Sequence, residues 1–409
     1  MKILFLTSRF PFPPLGGDRL RVSQFLKALS KRHEITLLSL SETPVSDEQQ
    51  RLAAPFVERC ETVVLPRKKS FINCALGAFS SKPLQVHYYN STSFRKKLNQ
   101  LLQTQHFDAI FSHLLRMADY ALNANGAAKI LDLTDALGLN YERNRKLGKG
   151  LKMFDLAQRI EFGRVRSYEQ KILPRFHQSL LISEADRDYM STYAPSENVQ
   201  IIGAGVDLEY FQFYDDGYDA NQLVFVGKMS TTPNLDAAQY FIREILPIIE
   251  RNIPQIKLDV VGIEPPRELL KLQKKDKISV TGEVEDVRPF LHKAAASLCP
   301  IRGGAGAKNK ILESMAAGTP VVSTHIGLEG LDLLEGRHVL AADAPEVFAE
   351  HIISLVKSPE KRRKLALAGR QIVEQNFGWD RVLANLDAII ENAISARNRR
   401  DAMHRVSTK

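Results

Sequence analysis

The residues best equipped for chemistry lie between Cys299 and Gly330, in the run CPIRGGAGAKNKILESMAAGTPVVSTHIGLEG. The loop Arg302–Ala307 holds three glycines in six residues: Gly303, Gly304 and Gly306, with Ala305 among them. Glycine lets the backbone take positive φ and approach a ligand closely. The pattern predicts a helix that starts near Lys308, with Asn309 in its first turn. The free N–H groups and positive dipole end of such a helix suit a diphosphate. Lys308 and Lys310 add charge. Glu313 lies about 200° round the helix from both Ile311 and Met315, so it faces away from the core. A carboxylate there can accept two hydrogen bonds from a ribose diol. The plainer alternative is a tight strand-to-helix turn, with Lys310 and Glu313 as a surface pair worth about 0.2–0.5 kcal/mol.

Other phosphate motifs fail. A Walker A box would need glycine where Lys308 stands, and Asn309 follows it. Gly16-Gly17, after the first strand, is a pair and not a GxGxxG. HExxH, GxSxG and EF-hand patterns are absent from the sequence, and no metal site is expected. His113 ends the run Phe107–Ser112, at the carboxyl end of a strand. There it either orients a reacting hydroxyl or is capped by backbone. Asp18 and Arg19 open a helix, as acceptor-site residues or as a simple match to its dipole. Asp132 and Asp135 flank a strand end, as an acceptor-side carboxylate or as helix caps. Ser183 and Asp186 read as a structural cap.

Parallel sheets must position these groups. Short continuous runs rich in Ile, Leu and Val recur at Ile3–Thr7, Ile35–Leu40, Thr62–Leu65, Ala109–Ser112, Ile130–Leu133 and Ser179–Ser183. They return at Leu223–Val226, Lys257–Val261, Ile278–Thr281, Ser297–Ile301 and Pro320–Ser323. Continuity, rather than alternation, suits strands buried on both faces. Helix-period segments lie between them, so the chain reads as doubly wound α/β. The pattern runs twice, across a seam near Gly203–Asp216. The expected organisation is two Rossmann-like domains facing across a cleft, 1–207 and 208–378. A helix over Trp379–Asn398 then returns to the first domain, followed by a frayed basic tail, Arg397–Lys409.

The chain has 409 residues, 44% hydrophobic and 25% charged, which excludes wholesale disorder. Cys60, Cys74 and Cys299 are scattered, which disfavours a zinc ribbon or a disulfide scaffold and suits a reducing cytoplasm. The net charge of +9 is uneven: residues 1–200 carry 29 Lys and Arg against 19 Asp and Glu. The start MKILFLTSRFPF has too short an apolar run for a signal peptide, and no run is long enough to span a membrane. Basic clusters at Arg67–Lys69, Arg95–Lys97 and Arg143–Lys152, with aromatics over Phe71–Tyr89, suit an anionic membrane surface or are solvated helix faces. No nucleic-acid reading module appears, and no such partner is expected.

Four ordered stretches carry a family resemblance. They are SRFPFPPLGGDRLR, GAGVDLEYF, the pair FVGKMSTTPNLDA and VTGEVEDVRPFLHKAAASLCPI, and KNKILESMAAGTPVVST with GLEGL. With these the chain resembles GT-B glycosyltransferases of family 4 (group 1) over nearly its whole length. It looks nearest to a bacterial subgroup associated with exopolysaccharide and exosortase loci. The resemblance implies a metal-independent, retaining hexosyltransferase without cofactor. Its donor would be a nucleotide diphosphate sugar and its acceptor a glycan or lipid-linked molecule. It further implies Glu313 on the ribose, Lys308 and Lys228 (after Gly227) at the diphosphate, and Gly282 to Val284 beside the base. Gly16 and Gly17 would close onto the phosphates and sugar, and His113 would lie near the reacting centre. Two departures stand out. The family's first Glu of E-x7-E falls on Ala305. A second Lys expected soon after Lys228 is missing from Ser230–Asn234, with Lys308 as its substitute. A nucleotide-sugar 2-epimerase and a non-catalytic nucleotide-sugar-binding protein are the alternatives. The expected location is the cytoplasm, resting on the inner membrane face.

Overall fold

The computed structural model describes residues 1–147, 152–214 and 216–407. The middle of the basic run Arg143–Lys152, residue Asp215 of the seam and the last two residues of the tail lie outside the described residues. Two compact units form. One comprises Met1–Tyr141, Gly150–Ile202 and Leu383–Lys409; the other comprises Glu142–Lys149 and Gly203–Val382.

The first unit is built on β1 (Lys2–Thr7), β2 (Glu34–Ser41), β3 (Arg59–Val64), β4 (Ala109–His113), β5 (Ala128–Thr134), β6 (Gln178–Leu181) and β7 (Val199–Ile201). They form one parallel sheet in the order β3-β2-β1-β4-β5-β6-β7. Register puts Ile3 opposite both Ile35 and Ala109. Ile3, Leu4, Phe5 and Leu6 are fully buried, and Phe5 stacks on Phe111 with centroids 4.7 Å apart. Each such side chain contributes about 1.5–3 kcal/mol by leaving water, which makes these runs sheet centres.

The second unit repeats the plan with β8 (Asp219–Val226), β9 (Lys257–Val261), β10 (Ile278–Gly282), β11 (Ala294–Cys299), β12 (Val321–Ser323) and β13 (Leu340–Ala341). These are parallel, in the order β10-β9-β8-β11-β12-β13. In both sheets the first strand is central and the winding reverses beside it, at β1/β4 and at β8/β11. Crevices at the carboxyl ends of such reversals are where open α/β sheets take ligands.

The C-terminal region departs from expectation. Trp379–Val382 is a short helix of its own, and a second helix runs from Leu386 to Ser407. Arg397 to Ser407 is therefore helical, where fraying is the expectation. An Arg397–Asp401 pair at helical spacing, 3.4 Å apart, supports this part.

Candidate active site

In the second unit the chemistry gathers where β8, β9, β10 and β11 end. Glycines follow or close three of these strands: Gly227, Gly262 and Gly282. A Cβ on Gly262 (φ 147°) would lie 1.8 Å from the Gly227 carbonyl oxygen, so only glycine lets these two strand ends pass. A Cβ on Gly227 would meet Asn234 Nδ2 at 2.8 Å and Lys310 Nζ at 2.9 Å. Gly282 turns left-handed at φ 74°, with open space around it, and Val284 follows half-buried.

After β11 the loop makes the turn that its glycines predict, Gly304 at φ 88° and Gly306 at φ 72°. Gly303 is buried and Ala305 half-buried. The helix runs from Asn309 to Ala316 behind an extended Lys308, whose side chain does not cap it. Its first N–H groups therefore remain available to an anion. Ile311 and Met315 are buried, whereas Glu313 is half-buried and turned from them.

The lysines sort differently from the expectation. Lys308 Nζ donates to the Ala305 carbonyl at 2.9 Å and to that of Gly306, bracing the loop. Lys310 is the cation at the end of β8. Its Nζ donates to Asn234 Oδ1 at 2.7 Å and lies 4.3 Å from the Phe225 ring centroid. Asn234 in turn donates to the Lys228 carbonyl at 3.0 Å. Burial lowers the Lys310 ammonium to about 8. Burial also pushes the Glu313 carboxyl up to about 7, with Lys310 opposing that rise. Both groups are thus desolvated, and each influences the other's charge. Lys228 is exposed and pairs with Glu264 at 3.0 Å.

In the first unit the reversal at β1/β4 carries a buried ionic chain. His113 ends β4, and its Nδ1 lies 2.9 Å from Asp132 Oδ2. Arg21 grips the same carboxylate through Nε at 3.0 Å and Nη2 at 3.1 Å, and donates from Nη1 to the Ile202 carbonyl at 2.9 Å. All three side chains are at most 3% exposed. Burial opposes ionisation of Asp132, but Arg21 and His113 outweigh it, and the carboxyl falls to about 2. His113 Nε2 is shut from solvent without a partner. The residue after His113, Leu114, takes φ 70°, a conformation that a leucine adopts only under constraint.

Asp132 is thus neither a helix cap nor an acceptor carboxylate. Asp135 is half-buried, and its N–H donates to the Leu133 carbonyl at 3.0 Å. Ser183 caps its helix through the Asp186 N–H, while the Asp186 carboxylate accepts from the Ala136 N–H. Gly16 (φ 88°) precedes the helix that opens with Gly17. Asp18 lies between Arg9 at 3.4 Å and Arg116 at 3.7 Å. Burial works to raise its carboxyl, but Arg9, Arg116 and His113 together hold it below the usual range. Arg19 is half-buried and donates its N–H to Asp18. Arg116 donates to Ser8 Oγ at 2.8 Å and lies 4.5 Å from the Tyr89 ring centroid. Burial lowers the Arg116 pKa, and that desolvated charge favours an anionic partner.

Sequence reasoning missed Arg9, Arg21 and Arg116, and it gave the diphosphate to Lys228 and Lys308, with Lys310 only as added charge. Arg21 and Asp132 are separated by 111 positions, and no local spacing announces the pair. The Lys310–Asn234 bond spans 76.

The chain is similar to known proteins in part of its sequence and in its fold. Residues 220–358 match the family model described as glycosyl transferases group 1. A 44.6 kDa protein in the cps region of Klebsiella pneumoniae is 23% identical over 403 residues, covering 94% of this chain and 98% of that one. Among solved structures, sucrose-phosphate synthase from Thermosynechococcus elongatus superposes with a TM-score of 0.72 at 15% identity, over 97% of this chain and 100% of that one. Anabaena HepE in complex with UDP superposes with a TM-score of 0.65 at 14% identity, over 96% of this chain and 100% of that one.

Proposed function

We propose that the chain, whose segment 220–358 matches the group 1 glycosyltransferase model and whose fold is that of GT-B proteins, moves a sugar from a nucleotide diphosphate sugar to a glycan or lipid-linked acceptor in bacterial surface polysaccharide synthesis. The observation that carries this reading is the uncapped helix Asn309–Ala316 behind a left-handed glycine loop, with Lys310 and Glu313 desolvated beside it. In this reading the helix N–H groups and Lys310 hold the diphosphate, with Lys228 and Lys308 adding charge nearby. Glu313 holds the ribose diol. Gly227, Gly262 and Gly282 keep side chains out of the nucleotide's way.

The sugar–diphosphate bond breaks, a bond to the acceptor hydroxyl oxygen forms, and the hydroxyl proton leaves with the nucleoside diphosphate. Fixed positive charge at the leaving diphosphate stabilises the transition state, without a metal and with retention of configuration. In this reading His113, with Nδ1 on Asp132 and Nε2 enclosed, lies near the reacting centre as a positioning residue.

A peripheral seat on a membrane belongs to the same reading. Among the described residues no helix is long and apolar enough to cross one. The helix Arg67–Gly77, however, carries Lys68, Phe71, Ile72, Ala75 and Leu76 on one exposed stripe that continues to Phe79. Leu76 is 81% and Phe79 fully exposed, which suits a lipid surface.

The test is thermal shift against UDP-, GDP-, TDP- and ADP-sugars, since a bound ligand raises Tm by mass action. One nucleotide series should stabilise the wild type, and Glu313→Ala and Lys310→Ala should lose that shift while staying folded. Full donor binding in both variants would falsify the site. Net epimerisation of a donor without acceptor would replace transfer by epimerisation. Failure of the purified protein to turn over any donor and acceptor would favour a binding role.

A further inference from the structure

We infer that the first unit holds a second anion site, for a phosphate or diphosphate carried by the acceptor, in the cavity walled by Lys82, His87, Arg95 and Arg116. Calling its ligand the acceptor rests on the transferase reading; the binding of the anion does not. The cavity has a volume of about 50 Å³. A second cavity of about 160 Å³ shares Lys82 and Asp119 with it and adds Lys171 and Arg175. The two cavities therefore share one Lys82–Asp119 pair, 2.6 Å apart.

Charge decides the ligand class. Among the described residues, five Lys or Arg side chains line the two cavities, against the one carboxylate of Asp119. That carboxylate is already engaged, since it accepts from Tyr168 Oη at 2.8 Å as well as from Lys82. Arg95 is held in place by Asn90 Oδ1 at 2.6 Å and by the Tyr120 ring, 5.4 Å away, and neither partner neutralises it. His87 Nε2, on the wall of the smaller cavity, is cut off from solvent with no hydrogen-bond partner among the described residues. An oxoanion supplies what this wall lacks: negative charge, and acceptors for fork-shaped arginine donors.

Position ties the cavity to the reaction. Arg116 belongs both to its wall and to the group formed by Ser8, Asp18 and Tyr89 at the β1/β4 reversal, where His113 lies. Along the chain, Ser81 and Lys82 follow the exposed apolar stripe that ends at Phe79. A diphosphate with an apolar tail on that stripe and a sugar toward Arg116 fits the order of these surfaces.

The experiment titrates inorganic diphosphate, geranyl diphosphate and glucuronate into the full chain by calorimetry. The proteins are the wild type, Lys82→Gln/Arg95→Gln, Lys171→Ala and Lys310→Ala. Lys171 is exposed, so its replacement tests the larger cavity without threatening the fold. The expected result is one diphosphate bound at this site, besides any held at the donor helix, weakened at least tenfold in the double variant and several-fold in Lys171→Ala. It should persist in Lys310→Ala, which removes only the donor-side cation. Tighter binding of geranyl diphosphate than of inorganic diphosphate identifies a lipid-linked source; equal binding identifies the bare anion. Preference for glucuronate, no diphosphate binding, or loss in Lys310→Ala alone overturns the proposal. Thermal shift with nucleotide sugars on the same variants reads the transferase assignment separately.

Discussion

Asp132 shows how one carboxylate serves two partners. Its ion pair with Arg21 is fully buried, so each charge depends on the other for compensation. Its bond to His113 Nδ1 also favours the tautomer that leaves an acceptor at Nε2. Asp132→Asn should strand the Arg21 guanidinium and cost about 3–5 kcal/mol, read from denaturant unfolding. It should also lower kcat more than it changes KM for the donor, because the donor-side residues are untouched. A wild-type unfolding midpoint in this variant would refute the structural part. An unchanged kcat would refute the positioning part. The ionised form of Asp132 is the stabilising one: its carboxyl lies at about 2 when folded and near 3.8 otherwise, so the contribution is complete above pH 3.8 and is lost as pH falls through 2.

At the scale of elements, the strand ends are where the fold admits no substitution. Gly262 and Gly227 pass so closely that a single methyl would overlap a carbonyl oxygen. Gly262→Ala should therefore shift β9 against β8, cost more than about 3 kcal/mol and weaken donor binding. Gly217, left-handed at φ 72° but with its nearest neighbour 3.8 Å away, is the contrasting control: Gly217→Ala should cost only the backbone term, about 1 kcal/mol. Urea unfolding of the two variants checks the contrast, and equal losses would contradict it. The apolar runs announce most strands because a strand covered on both faces has to be apolar throughout. β7 and β13, at three and two residues, are too short to show such a run and were not expected. After Pro233 the spacing of Ala237-Ala238, Phe241-Ile242, Ile245 and Ile248-Ile249 reads as one helix. The wider turn over Phe241–Ile245 that interrupts it leaves no mark in that spacing, since Phe241, Ile242 and Ile245 stay buried.

For the whole molecule, the charge asymmetry has a location. Arg67, Lys68 and Lys69 stand exposed at the start of the helix that carries Phe71, Ile72 and Leu76. Arg67 is bonded to Glu42, so Lys68 and Lys69 carry the long-range attraction to an acidic surface. Binding to vesicles rich in phosphatidylglycerol should fall as salt rises. Leu76→Ser/Phe79→Ser should weaken it several-fold without changing Tm, because neither side chain is buried. A flotation assay at two salt concentrations would decide this, and undiminished binding by the double variant would remove the helix from the membrane reading.

By itself the sequence determined the class of fold, the repeat of one α/β plan, the glycine loop and the helix behind it. These follow from local rules: covered strands are apolar, left-handed turns need glycine, and a helix start is free to meet an anion. Tertiary structure alone decided which charges meet. It set Lys310, rather than Lys308, against Asn234 at the end of β8, and it joined Arg21 to Asp132 and Asp132 to His113. The reason is physical. A side chain's partner across a sheet depends on strand order and register, and its effective charge depends on how much water is excluded around it. Neither is written in the spacing of neighbouring residues.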